Sequence, residues 1–292
     1  MKENKKYLIV GSASVAGSSA IAAVRKADAH AHIIGTTSRT EAMPEVDETI
    51  TGIDLSKPKA ALQIQDQLKS KVDTLIFCPA FGNVGTPIRD ASLRDVEECF
   101  QFSVNPFIEL AQDLDTSSNI GFSSFYWLDS LKAAYGSMAF AKYAIEKIAV
   151  ENPERFRIVR AGLFPSKSIR GICIMIQRAI RKDAFEGAAE LRQGWKESGL
   201  GFPEYFTHYA QSCEKRQLAH YLQNEYSATT SNDMISAIEL ALSPETAPII
   251  NIVGGSRWLQ HDLPDVPEFL IENSPAFELA DSVSLQASLV EV

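Results

Sequence analysis

Short apolar runs alternate along the chain with longer segments in which apolar residues recur every three to four positions. The runs have the length and β-branched content of buried strands, and the longer segments have the period of a helix. Strands are predicted at Lys6–Val10, His32–Gly35, Thr74–Cys78, Asn119–Ser123, Phe156–Arg160 and Ile249–Val253. Helices are predicted between them at Ser18–Ala27, Pro58–Lys69, Leu93–Asp113, Ala134–Val150 and Asn232–Leu242.

This alternation predicts an α/β fold of Rossmann type, a doubly wound parallel sheet with helices on both faces. Each crossover between parallel strands needs a covering element, which a helix supplies. We interpret residues 1–258 as a single domain whose rhythm is interrupted by an enlarged helical insertion at about 166–231. Residues 259–292 form an acidic C-terminal tail in which charges and prolines predict loose order.

Composition and charge limit the classes of function. Of the 292 residues, 45% are apolar and 22% charged, as in ordinary globular proteins, and the net charge of −9 gives no argument for nucleic acid as a partner. No apolar stretch reaches the roughly 20 residues that cross a bilayer, and the first apolar run is too short for a signal peptide. We expect a cytoplasmic protein with no membrane span. Its four cysteines form no C-x-x-C pair and are expected to be free thiols, and its five histidines form no metal set.

The first predicted strand leads into a loop of small residues, GSASVAGSSA. Small residues at a strand-to-helix turn let backbone N–H groups approach a pyrophosphate, whose charge the helix N-terminus favours. The dinucleotide fingerprint is only partly met, because Val15 stands where many such loops have glycine, so a turn without a ligand is the alternative. The predicted cofactor contacts in this loop are Gly11, Ser12, Ala13, Ser14 and Gly17.

The next strand ends carry residues suited to the rest of a dinucleotide. Ser38 and Arg39 follow the second strand, where an acidic residue would favour NAD(H) and a guanidinium suits the 2′-phosphate of NADP(H). Asp54 and Leu55 can contact adenine with one polar and one apolar group. The predicted cofactor is therefore NADPH rather than NADH. Small or apolar residues that could lie against it after the strand Thr74–Cys78 are Pro79, Ala80 and Phe81.

The segment YGSMAFAKYAIE, residues 135–146, places a tyrosine and a lysine seven positions apart. With GSASVAG, TTSR, CPAFG, FSVN, FSS, RAG and IVGG, it makes the chain resemble the short-chain dehydrogenase/reductases from Lys6 to about Trp258, apart from the insertion. The segment looks most like that of the divergent enoyl-acyl-carrier-protein reductases, in which six residues separate the tyrosine from the lysine. The residues that fit this signature are Tyr135, Met138, Ala141, Lys142 and Glu146.

The resemblance implies that Tyr135 polarises the substrate oxygen and that Lys142 holds the nicotinamide ribose. On a helix, seven residues return to within about 20° of the starting direction, so we expect Tyr135 and Lys142 on one face. A chance pairing, or a member that has lost its tyrosine at position 138, is the alternative. Gly162 and Phe164, at and after the RAG turn, are expected to contact the cofactor.

Four further residues are candidates by position in the resembled families. Ser124 is a candidate hydrogen-bond donor, with Ser123 as competitor, and Asn105 stands where ordinary members have a catalytic asparagine that the enoyl branch usually lacks. Met138 can line the substrate pocket. Phe125 stands where some enoyl reductases have a second aromatic residue, although packing would explain it equally well.

The expected activity is NADPH-dependent reduction of the C=C bond of an enoyl thioester or a related conjugated carbonyl. Asn105 keeps a carbonyl reductase of 3-oxoacyl type open, and Met138 and Val15 keep open a catalytically silent NADP-binding regulator or scaffold. The substrate is a small molecule that coenzyme A or acyl-carrier protein could carry. The resemblance implies a homodimer or homotetramer.

The insertion suggests how a carrier could be recognised. Residues 167–196 carry a net charge of +4 within a chain of −9, and aromatic residues follow. One hypothesis is an apolar channel with a basic mouth that includes Arg178 and Arg181. An ordinary helical lid or subunit contact is the alternative.

Overall fold

The computed structural model describes residues 4–185 and 187–285, with the side chains of 167–170 excepted. It contains an eight-stranded sheet in the order β3-β2-β1-β4-β5-β6-β7-β8. The strands are β1 (Lys6–Val10), β2 (His32–Thr36), β3 (Glu48–Ile50), β4 (Thr74–Phe77), β5 (Ser118–Ser124), β6 (Phe156–Ala161), β7 (Ile249–Val253) and β8 (Ser256–Gln260). The first seven pair in parallel, and β8 returns antiparallel to β7, so the predicted doubly wound sheet is confirmed.

Helices cover both faces of the sheet. They are α1 (Val15–Ala27), α2 (Ala60–Gln67), α3 (Leu93–Ser103), α4 (Asn105–Asp113), α5 (Asp129–Lys132), α6 (Met138–Glu151), α7 (Lys167–Arg181), α8 (Ala188–Ser198), α9 (Phe202–Gln217), α10 (Ser231–Ala241), α11 (Glu268–Ile271) and α12 (Ser274–Ser282). Helices α1 and α10 pack on one face, and α2, α3, α4 and α6 pack on the other. Within the described residues, no helix is both long and apolar enough to cross a membrane.

The strand order places a topological switch point at the carboxyl ends of β1 and β4. The chain moves outward from β1 through β2 to β3, then returns to the other side of β1 with β4. The loops that follow β1 and β4 therefore separate and leave a crevice, where open α/β sheets bind their ligands. The predicted cofactor loop lies at this edge.

The long predicted helix at 93–113 is interrupted at Val104. The cause is Pro106, which has no N–H to donate to the carbonyl of Phe102 four residues earlier and whose ring crowds that carbonyl. The structure ends α3 at Ser103 and begins α4 at Asn105, with Pro106 in its first turn.

The prediction of a loosely ordered tail is wrong for the described residues. Helices α11 and α12 fold back onto the body, and Leu270, Ala276 and Ala280 are buried. Alanines let α12 lie close against α6, where the Tyr143 hydroxyl donates to Asp281 at 2.8 Å. The apolar positions of the tail therefore outweigh its acidic composition, and residues 286–292 lie outside the described part.

Candidate active site

Tyr135 lies in the turn before α6 rather than on the helix. Gly136 has a φ of +50°, and the helix begins only at Met138. The expectation that Tyr135 and Lys142 share one helix face is therefore wrong. The residue one helical turn before Lys142 is Met138. Position 138 is where the alternative hypothesis, a family member that has lost its catalytic tyrosine, expects that tyrosine to have been.

The loop after β4, residues 78–86, fixes this turn. The Gly85 N–H donates to the carbonyl of Ala134 at 2.7 Å, and the Asn83 N–H donates to the Ser137 hydroxyl at 3.1 Å. A Cβ atom on Gly136 would lie 2.5 Å from the carbonyl oxygen of Asn83. Glycine is thus required twice here, for the positive φ and for the close passage of the loop.

Tyr135 and Lys142 nevertheless both reach the carboxyl end of β5. The Ser124 hydroxyl donates to the phenol oxygen of Tyr135 at 3.1 Å, and the Lys142 ammonium donates to the carbonyl of Phe122 at 2.8 Å. Both side chains are buried. Through these contacts the structure brings Ser124, Tyr135 and Lys142 to the end of one strand, β5.

Burial determines the protonation of both groups. It raises the pKa of Tyr135 to about 12, although the hydrogen bond from Ser124 lowers it, and it lowers the pKa of Lys142 to about 8. The phenol is therefore neutral and the amine mostly charged at pH 7. A neutral phenol can donate a hydrogen bond to an oxygen that gains negative charge.

The two neighbouring serines and Asn105 have different environments. The Ser123 hydroxyl is buried and donates to the carbonyl of Ser124, so Ser124 is the serine that contacts Tyr135. Asn105 is the first residue of α4 and half-buried. Its amide has no hydrogen-bond partner among the described residues.

The two predicted substrate residues lie in packing. The sulfur of Met138 is 3.8 Å from that of Cys99, inside the core beneath the loop after β4. Phe125 stacks on Trp258 with ring centres 5.6 Å apart. Phe125 also lines a cavity of about 1080 Å³ between the insertion and the C-terminal segment, and neither Tyr135 nor Lys142 lines that cavity. The placement of Phe125 matches the packing alternative.

The loop after β1 has the shape of a dinucleotide turn. Gly11 has a φ of +74°, and a Cβ on Gly17 would lie 2.5 Å from the Gly11 carbonyl oxygen. The Ser12 hydroxyl is turned inward and donates to the carbonyl of Thr36 at 2.8 Å, so its side chain braces β2. Ala13 and Ser14 are exposed, and the Ser14 hydroxyl caps α1 by accepting from the Gly17 N–H at 3.0 Å.

The residues predicted to contact the adenosine half lie along the same edge. Ser38 and Arg39 are exposed after β2. Asp54 is exposed, and hydrogen bonds from the side chain and backbone of Ser56 lower its pKa, while Leu55 is half-buried. After β4 the residues are Pro79, Ala80 and Phe81, of which Phe81 is 44% exposed.

Gly162 and Phe164 lie in the loop after β6. This loop is held by the carboxyl group of Glu214, which was not among the predicted site residues. Glu214 of α9 accepts a hydrogen bond from the N–H of Leu163 and is 4% exposed. Nothing in the sequence distinguishes Glu214 from the other acidic residues of the insertion. Gly136, by contrast, could have been recognised, because a glycine inside a helical pattern marks a break.

Glu146 of the enoyl-reductase signature has a structural partner. It forms a fully buried ion pair with Arg160 of β6 at 2.6 Å, and a second hydrogen bond joins the same two side chains at 2.9 Å. The Arg160 guanidinium also donates to Asn251 and Gln260 at 2.8 Å. This pair fixes α6, and with it Lys142, against the sheet.

The insertion packs around its own apolar cluster, which joins the body through Ala134. Arg178 and Arg181 are exposed, and the Arg181 guanidinium lies 5.7 Å from the centre of the Trp195 ring. The side chains of Lys167 and Arg170, and residue Glu186, are outside the described part. In the residues that are described, the cysteines are free and buried, and no cluster of metal-ligating side chains occurs.

Comparison with known proteins supports the architecture. No family model matches the chain, and no curated protein matches its sequence. A short chain dehydrogenase family protein from Francisella tularensis subsp. tularensis SCHU S4 has a similar structure, with a TM-score of 0.56, 14% identity, and coverage of 87% of this chain and 98% of that one.

Two further structures match to the same extent. They are a small-chain dehydrogenase in complex with NADPH, at a TM-score of 0.53, and YwfH, an NADPH dependent reductase involved in bacilysin biosynthesis, at 0.57. Each is 14% identical, and each alignment covers 87% of this chain and 98% of the other. The chain therefore has the fold of the short-chain dehydrogenases.

Proposed function

We propose that the chain is an NADPH-dependent oxidoreductase of the short-chain dehydrogenase/reductase superfamily that reduces the C=C bond of an enoyl thioester or a related conjugated carbonyl. The observation that carries the proposal is the neutral phenol of Tyr135 at the end of β5. Its oxygen accepts a hydrogen bond from Ser124, and the ammonium of Lys142 donates to the Phe122 carbonyl of the same strand. The tyrosine-to-lysine spacing and Met138, Ala141 and Glu146 favour the enoyl branch.

The chain's own residues fit NADPH. The turn at Gly11 is tight and its neighbours Ala13 and Ser14 are exposed, which suits a pyrophosphate. The Arg39 side chain is exposed and forms no ion pair within the described residues, which suits a 2′-phosphate. Among the structurally similar proteins, one is described as an NADPH complex and another as an NADPH dependent reductase. When NADPH is bound, its dihydronicotinamide would supply the hydride.

Tyr135 and Lys142 would divide the remaining work. The Tyr135 hydroxyl donates a hydrogen bond to the substrate oxygen, then a proton as negative charge develops there. The Lys142 ammonium has three N–H donors, so it can keep its bond to Phe122 and still offer two to the ribose hydroxyls. Ser124 orients the phenol.

A carbonyl reductase of 3-oxoacyl type is the second candidate. The hydrogen bond from Ser124 to Tyr135 favours it, as does Asn105, which stands where ordinary members of the resembled family have an asparagine. The burial of Met138 and the inward-turned Ser12 favour a silent NADP-binding protein instead. The proposal also includes that the protein acts in the cytoplasm, that it forms a homodimer or homotetramer, and that coenzyme A or acyl-carrier protein carries its thioester substrate.

Loss of NADPH absorbance with crotonyl and acetoacetyl thioesters separates the candidates. Turnover of the crotonyl substrate supports the enoyl activity, turnover of the acetoacetyl substrate alone supports the carbonyl reductase, and turnover of neither supports the silent protein. Tyr135→Phe should lower kcat by about 10²–10³, the effect of removing one donor to a developing oxyanion. Tyr143→Phe is the matched control, since its hydroxyl contacts Asp281 of the tail. Equal losses in both variants would contradict the assignment.

Coenzyme preference and carrier recognition have separate tests. Arg39→Asp should raise KM for NADPH by about 100-fold while leaving NADH use unchanged, as expected when one charge-assisted contact to the 2′-phosphate, worth about 3 kcal/mol, is lost. An Arg178→Glu/Arg181→Glu variant should raise KM for carrier-bound but not for free thioesters. Equal kinetics on both forms would refute the carrier hypothesis.

A further inference from the structure

The loop after β6 is held by the insertion through one side chain. The Gly162 N–H donates to the Ile252 carbonyl of β7 at 2.8 Å, which continues the sheet by one residue. The next N–H, that of Leu163, leaves the sheet and donates to Glu214 of α9. A helix that begins forty residues later in the chain thereby fixes the backbone direction of this loop.

Glu214 is buried without a cation. Its second oxygen accepts from the Tyr226 hydroxyl at 2.9 Å, and the described residues contain no ion pair to this carboxyl. Burial raises the pKa of Glu214 although these two hydrogen bonds lower it. A carboxyl kept in such a place costs free energy that the protein offsets only by making both bonds.

The Glu214 carboxyl packs closely against the loop after β6. A Cβ on Gly162 would lie 3.0 Å from one oxygen of Glu214 and 2.9 Å from the Thr229 hydroxyl. That hydroxyl accepts in turn from the Gly254 N–H, in the turn after β7, at 3.1 Å. Glu214 therefore lies between the loops after β6 and β7 and the segment that returns from the insertion to α10.

We propose that Glu214 is a positioning residue that sets the affinity for the nicotinamide half of the cofactor, by holding the Leu163 backbone between Gly162 and Phe164. The inference rests on the proposed function, which assigns these two residues to the cofactor. It gives the insertion a role in cofactor binding, because removing the contact frees the loop after β6 but leaves the predicted pyrophosphate contact at Gly11 and the predicted 2′-phosphate contact at Arg39 unaffected.

The test compares three variants by calorimetric titration with NADPH and with 2′,5′-ADP, which has no nicotinamide. Glu214→Leu removes both hydrogen bonds, Glu214→Gln keeps an oxygen that can accept from Leu163, and Tyr226→Phe removes only the bond from the hydroxyl. Glu214→Leu should raise the Kd for NADPH about tenfold and change that for 2′,5′-ADP less than about twofold, since one hydrogen bond is worth roughly 1.4 kcal/mol. Glu214→Gln should lie within about twofold of wild type for both.

Amide exchange at Leu163 is the second readout and needs no cofactor. Protection of this amide should fall in Glu214→Leu and persist in Glu214→Gln and Tyr226→Phe, with circular dichroism and melting curves establishing that each variant is folded.

An unchanged Kd for NADPH in a folded Glu214→Leu variant would overturn the inference, as would equal weakening of both probes. If the wild-type protein binds neither probe, the proposed function fails and the inference fails with it. A failure of the inference alone leaves wild-type binding intact.

Discussion

Replacing Lys142 by methionine should change how the stability of the cofactor-free protein depends on pH. The side chain is 5% exposed, and burial lowers its pKa from 10.5 to about 8. The unfolded chain therefore binds more protons than the folded chain between these two values, and the free energy of unfolding of the wild type rises with pH across that window. Below about pH 8 both states hold the proton, so the full penalty of burying the ammonium is present there.

The magnitude follows from the two pKa values. Between pH 7 and pH 10 the wild type should gain about 2.5 kcal/mol relative to Lys142→Met, which has no ammonium to bury. Other titrating groups contribute to both proteins and cancel in the difference. Urea unfolding at pH 7, 8, 9 and 10, with comparable m-values, measures it.

Lys69→Met is the matched control, because that lysine is 84% exposed and its loss should give a difference that is nearly constant with pH. If the difference between wild type and Lys142→Met were also constant from pH 7 to pH 10, Lys142 would not be a buried ammonium. The assignment of this lysine as a desolvated cation at the end of β5 would then be refuted.

Three further predictions concern the surroundings of this lysine. Arg160→Met should lower the free energy of unfolding in urea by about 3–5 kcal/mol because it leaves Glu146 buried without a partner, whereas adding Glu146→Met should recover most of the loss; a double variant no more stable than the single one would contradict this. Gly136→Ala should cost about 1–3 kcal/mol more than Gly187→Ala in thermal melts, because both have positive φ but only Gly136 faces a backbone oxygen; equal losses would argue against the close passage. In the wild type, kcat/KM for NADPH should fall above about pH 8, where Lys142 loses its charge. In Lys142→Arg it should stay level to about pH 10, since arginine keeps its charge; a fall above pH 8 in both proteins would assign the decrease to another group.

The strands could be predicted because each is a local pattern. β1 and β7 match the predicted bounds, and the other predicted strands differ by one residue at one end or, for β5, at both ends. No strand was predicted at β8, and the predicted domain boundary at residue 258 falls inside it, although the glycine pair 254–255 followed by the alternation SRWLQ is a hairpin signal. The interruption at Val104 was equally local and follows from Pro106.

The position of Tyr135 could not be predicted in the same way. Gly136 marks a break in the helical pattern, but no local pattern encodes the contact with the loop about fifty residues earlier that determines where Tyr135 lies. Glu214 presents the same difficulty, since its partner Leu163 is distant in sequence and only the fold makes them neighbours. Residue types at strand ends therefore indicated the site, while tertiary contacts determine which atoms meet.

The protonation of Tyr135 and Lys142 indicates a direction for the proposed reaction. A phenol whose pKa is about 12 is deprotonated in about one molecule in 10⁵ at pH 7, so it can donate a proton to a substrate but cannot readily remove one. Reduction requires that donation, whereas oxidation of an alcohol would require the phenolate. A neighbouring cation or donated hydrogen bonds would stabilise a phenolate, but the ammonium of Lys142 is bonded to the Phe122 carbonyl, and the single bond from the neutral Ser124 hydroxyl does not offset the effect of burial. Under the proposed function, the cofactor-free site therefore holds the phenol in the protonated form with which reduction begins.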